Sequence, residues 1–76
     1  MDKLELENQI RKIVASSDEW VSAQEVSVIL RERFGSEVPP ATVRSRLISM
    51  VNYREIEFMS EMNNGHIAYK YKRAST

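Results

Sequence analysis

Apolar side chains recur along this chain first at helical spacing and then at strand spacing. Leu6, Ile10, Ile13 and Val14 fall at i, i+4, i+7 and i+8, one stripe of a helix predicted over about residues 3–16. Asp2 can cap it, with Glu5 at the reciprocal capping-box position, and Ser16, Ser17 and Asp18 end it. Glu19-Trp20-Val21 is a short apolar piece. Ser22-Ala23-Gln24-Glu25 then has the S-x-x-E pattern that opens a second helix, which Val26, Ile29, Leu30 and Phe34 carry to Gly35. Gly35 fits the left-handed position after a helix, so this helix is expected from Ala23 to Phe34. The connector from Gly35 to Pro39 is longer than a tight turn. Pro39-Pro40 suits the first turn of a third helix, expected from Pro40 to about Val51, because a missing N–H there costs nothing. At 100° per residue Val43, Leu47, Met50 and Val51 share one side, Thr42, Ser45 and Ser49 the other, and Arg44 and Arg46 flank the boundary.

Beyond residue 53 the period changes to two. Arg54 to Ser60 alternates with Ile56 and Phe58 on one face, and His66 to Lys72 alternates with Ile67, Tyr69 and Tyr71 on one face. Asn64-Gly65 between them is a strong two-residue hairpin signal, since both central residues of a type I′ turn need positive φ. That turn sets a register in which facing residue numbers sum to 129. Phe58 then faces Tyr71 on the core side and Glu57 faces Lys72 on the outer side, both favourable cross-strand partners.

Seventy-six residues suit one small domain, 1–76, with little material for a catalytic pocket. With no cysteine and a single histidine, thiolate and multi-histidine metal sites are excluded. No apolar run approaches the ~20 residues of a membrane span, and the acidic start Met1-Asp2-Lys3-Leu4-Glu5 is unlike a signal peptide. The expected setting is therefore cytoplasmic. Net charge is zero, but unevenly spread: residues 1–38 hold five basic and eight acidic side chains, residues 39–76 six basic and three acidic. A neutral chain so polarised can still present a positive face.

The order helix, short strand, helix, helix, hairpin resembles a winged helix-turn-helix domain over roughly residues 4–73, of the type found in small bacterial or phage DNA-binding regulators. Trp20-Val21-Ser22-Ala23-Gln24-Glu25-Val26 resembles that family's short strand and capped second helix. Ala41-Thr42-Val43-Arg44-Ser45-Arg46-Leu47 resembles the start of a recognition helix, and Tyr53-Arg54-Glu55-Ile56-Glu57-Phe58 with Ile67-Ala68-Tyr69-Lys70-Tyr71 the two wing strands. The resemblance implies an α+β fold of three helices plus a C-terminal hairpin wing. It implies sequence-specific binding of double-stranded DNA in transcriptional regulation, with residues 40–51 in the major groove and the wing, residues 54–72, on the backbone. Thr42, Ser45 and Ser49 would permit close approach, and Arg44 and Arg46 would reach guanine or phosphate. Lys70, Lys72 and Arg73 would add phosphate contacts, and Asn64, between Asn63 and His66 at the tip, would touch backbone or minor groove. No enzyme activity, cofactor, membrane or small-molecule substrate is implied. A single module makes a small interface, so a homodimer or a protein partner is expected as well.

Two other readings stand beside this one. Neutral charge favours a winged helix that docks onto another regulator or assembly without DNA, through the third helix or the acidic first half. Tyr69 and Tyr71 alternating with lysine would suit single strands stacked on the sheet, although a half-buried strand requires the same pattern and a core role is expected for both. The polar strip of the third helix could also be a plain solvated face, and Lys70, Lys72 and Arg73 a charged edge that discourages sheet pairing. Trp20 is expected in the core against the wing sheet, His66 exposed in the turn, and Met59 and Met62 off the best apolar face or at the loop.

Overall fold

A computed structural model describes residues 2–74. In chain order it contains α1 (Lys3–Ser16), β1 (Val21–Ser22), α2 (Ala23–Phe34), α3 (Pro40–Asn52), β2 (Ile56–Asn63) and β3 (His66–Arg73). The N-caps lie where the sequence puts them, although only Ser22 and Glu25 close both halves of a capping box. The Asp2 carboxylate accepts from the Glu5 N–H at 2.8 Å. Ser22 and Glu25 form the full reciprocal box at 3.1 Å each way. Gly35, at φ +66, closes α2 by donating to the Arg31 carbonyl.

The connector to α3 is held at both ends. Ser27 Oγ donates to the Val38 carbonyl at 2.5 Å, and the buried Ser36 hydroxyl donates to Gln9 of α1 at 2.9 Å. Five residues therefore link α2 to α3 without a slack loop, which fixes how the two helices cross.

α3 ends differently from α2. The Arg54 N–H bonds the Val51 carbonyl and the Glu55 N–H the Met50 carbonyl, a Schellman closure with Arg54 itself left-handed at φ +60. This closure occupies Arg54 and Glu55, so β2 begins at Ile56 rather than at the expected Arg54. It also runs on to Asn63, three residues past the expected Ser60, because the turn is only Asn64-Gly65, at φ +50 and +81. Glu55 then joins three elements. Its backbone bonds α3 and accepts from the Ala74 N–H, while its carboxylate takes two hydrogen bonds from Arg11 of α1, at 2.6 and 3.3 Å.

The sheet order is β1-β3-β2, antiparallel throughout. Facing residues of β2 and β3 sum to 129 at all eight pairs, with Phe58 opposite Tyr71 and Glu57 opposite Lys72. The core is made by Ile10, Ile13 and Val14 of α1, Val26 and Leu30 of α2, and Val43, Leu47 and Met50 of α3, all nearly sealed from solvent. The sheet contributes Val21, Ile56 and Tyr71 to it. The core stops there. Phe58, Ile67 and Tyr69, expected in it, are 53, 60 and 41% exposed. β1 has only two residues, paired with Tyr71 and Lys70, so the outer part of the hairpin extends past the third strand. Trp20 is half-buried, in a shallow depression with Ile56, Phe58 and Ala74. Among the described residues no helix is long and apolar enough to cross a membrane.

Candidate nucleic-acid interface

α3 follows α2 as the second helix of a helix-turn-helix pair, and its buried stripe of Val43, Leu47 and Met50 sets which residues turn outward. Thr42, Arg44 and Ser45 are exposed, while Arg46 and Ser49 are half-buried. Arg44 and Arg46 are about 200° apart around the helix, so they leave it on opposite flanks. Arg44 lies on the flank toward the hairpin. Among the described residues neither arginine has a carboxylate within ion-pair distance.

A cleft of about 440 Å³ separates α3 from the hairpin, lined by Arg44, Ile48 and Asn52 on one side and Phe58, Tyr69 and Tyr71 on the other. Phe58 and Tyr69 pack with ring centroids 6.3 Å apart. Burial pushes the Tyr71 hydroxyl above its ordinary pKa, with the nearby Arg44 charge working the other way. Ile48 and Asn52 were not singled out from sequence. The signal was present: Ile48, five residues after Val43, lies about 140° from it and off the buried stripe.

The wing residues divide between two faces. Facing residues of an antiparallel pair share a face, so Lys70 and Lys72 stand with Glu57, Met59 and Glu61 on the side away from Tyr71. Lys70 Nζ is 2.9 Å from Glu61 Oε1. That hydrogen bond, with the charges of Glu61, Glu25 and Glu19, raises the lysine pKa. Lys70 thus sits among carboxylates, and the structure does not bring Lys70 and Lys72 to the face that looks at α3. Arg73 is exposed on the Tyr71 side, and Asn64 occupies the tip of the turn. Among the described residues no cluster of histidine, aspartate or glutamate is arranged to hold a metal ion.

Three helices, a two-residue strand completing the sheet, and a C-terminal antiparallel hairpin beside the third helix together make a winged helix-turn-helix fold. The fold is similar to that of a crystal structure from Thermoplasma acidophilum, the proposed transcriptional regulator TA0346. The TM-score is 0.78 at 17% identity, covering 97% of this chain and 72% of that one. At that identity the likeness is one of fold. No protein-family model matches the sequence. No curated protein matches it.

Proposed function

We propose that this chain binds double-stranded DNA sequence-specifically as a transcriptional regulator, with α3 in the major groove and the hairpin against the flanking backbone. One observation carries the reading. The outward side of the second helix of the helix-turn-helix pair offers small hydroxyls at Thr42 and Ser45 together with the guanidinium of Arg44, which has no carboxylate partner among the described residues. Small residues let a helix approach base edges, and an arginine without a competing carboxylate is free to donate to guanine or phosphate. Arg46, on the opposite flank, is suited to a phosphate of the groove wall. At the tip, Asn64 suits backbone contact. Arg73 serves the same backbone from the strand end, and Lys72 contributes longer-range attraction. Lys70, held by Glu61, contributes least.

Duplexes selected from a random-sequence pool, followed by fluorescence anisotropy, test this. Arg44→Ala is expected to weaken binding about tenfold and Arg46→Ala to weaken it on all sequences alike, each with little change in melting temperature. Affinity should fall steeply as salt rises. Wild-type affinity in both variants, or equal competition by single strands, would overturn the reading.

A second reading rests on the cleft. Ile48, Phe58 and Tyr69 give the α3–hairpin face an apolar character unusual for a surface devoted to phosphate, which favours docking of a protein. Failure to select any duplex would favour it.

A further inference from the structure

Two features of β2 lack a partner. It is the outer strand of the sheet, and among the described residues nothing pairs with its free edge. All eight of its residues pair with β3 in unbroken register, so no bulge bends it, and it contains no proline. A long regular edge without these devices is a template for another strand. The same strand carries Phe58 and Met62 on the face that continues the core, beside Ile67 and Tyr69 of β3. All four are exposed, Met62 at 69%. A two-stranded ribbon is marginal by itself in water, and the outer half of this one has no third strand.

We propose that a second copy of the chain covers this edge, β2 pairing antiparallel with β2 of the copy about a two-fold axis at Ser60, so that two sheets join into one of six strands.

Charge pattern and length of overlap together select this register: it pairs seven residues, Glu57–Asn63, without setting one carboxylate against another. Only even sums of facing residue numbers keep Phe58 and Met62 on the same face as their counterparts. Centred on Met59, the pairing would put Glu57 opposite Glu61 of the copy, twice. Centred on Glu61, it would put that carboxylate opposite itself. Like charges directly opposite are destabilising. Centred on Ser60, Phe58 faces Met62 of the copy, Met59 faces Glu61, Glu57 faces Asn63, and no carboxylate faces another. Glu61 is already matched by Lys70 of its own chain. A net charge of zero leaves no overall repulsion between copies. A two-fold axis normal to the sheet also keeps both apolar faces, and both α3 helices, on one side of it. The dimer does not depend on DNA, and a monomeric chain would leave the DNA reading standing.

Sedimentation equilibrium of the full chain without DNA, with cysteine trapping, tests the proposal. The chain has no cysteine of its own. Facing Cα atoms of an antiparallel pair lie about 4.5–5.5 Å apart, within reach of a disulfide. Ser60→Cys is therefore expected to form a covalent dimer on mild oxidation far faster than Lys12→Cys, on the exposed side of α1. Met59→Lys, facing Glu61 of the copy, should tighten association by about threefold to tenfold, and Met59→Glu should weaken it by as much. Within one chain Met59 faces Lys70, so the two substitutions affect the hairpin itself in the opposite order, and loss of fold cannot imitate the result. A single monomeric species up to millimolar concentration would overturn the proposal. So would a dimer indifferent to the charge at Met59, or Ser60→Cys that crosslinks no faster than the control.

Discussion

Leu30 and Ile67 are isomeric in side-chain composition and both lie in regular secondary structure, yet one is fully enclosed and the other is 60% exposed. Leu30 stands in α2, with α1 and α3 packed around it. Ile67 stands in β3, beyond the point where β1 stops and on a face that continues the core without a layer over it. The alternation that puts Ile67 on the apolar face is as regular as the periodicity that buries Leu30. What differs is whether a second layer lies opposite. In a chain this short the helices supply that layer only as far out as Tyr71.

The contrast can be broken from either side. Leu30→Ala should cost about 3 kcal/mol, read as a lower midpoint of urea unfolding, because three helices close on the site and cannot collapse into the gap. A loss under 1 kcal/mol would mean that the body is loosely packed. The seam between the regions comes next. Arg54→Gly should stabilise by about 0.5–1 kcal/mol, since the left-handed backbone there penalises a side chain. Unchanged thermal unfolding would argue that Arg54 relaxes out of that conformation.

Glu55→Gln sharpens the comparison through pH. The Arg11 hydrogen bonds hold the Glu55 carboxyl below its ordinary pKa, so the pair contributes fully above the ordinary carboxylate range. Its contribution is lost as pH falls through the lowered folded-state value. Because both side chains are more than a third exposed, the expected loss at neutral pH is only about 0.5 kcal/mol. Wild type and variant should converge in acid, and a gap that persists there would assign the effect to packing. The smallest change is expected at the outer hairpin. Ile67→Ala, compared at concentrations low enough to keep the chain monomeric, should shift stability by less than about 0.5 kcal/mol.

Local chemistry made much of this fold readable. The bounds of α2 follow from a capping box and a glycine, and the hairpin register follows from two adjacent residues that tolerate positive φ. The diproline sets the start of α3. Depth was not readable, because alternation tells which way Phe58 and Tyr69 point but not where the helices end beneath them. Long-range electrostatics were not readable either. Arg11 and Glu55 are 44 positions apart, and Lys70 is held by its diagonal neighbour Glu61 rather than by the residue directly across. Of the candidate site, the polar strip on α3 follows from helical periodicity. The division of the wing cations between two faces follows from the register, yet Ile48 and the cleft emerge only once α3 and the hairpin are seen side by side.

The hairpin is also a lever rooted in the core, where Ile56 and Tyr71 are buried and β1 pairs with Tyr71 and Lys70. Over its whole length β2 is a beam of eight residues, about 26 Å at 3.3 Å per residue. A change of roughly 5° in its heading swings Asn64 by about 2 Å, two-thirds of a hydrogen-bond length. A small change in how that root sits on the helices is therefore magnified at the far end, where Asn64 stands.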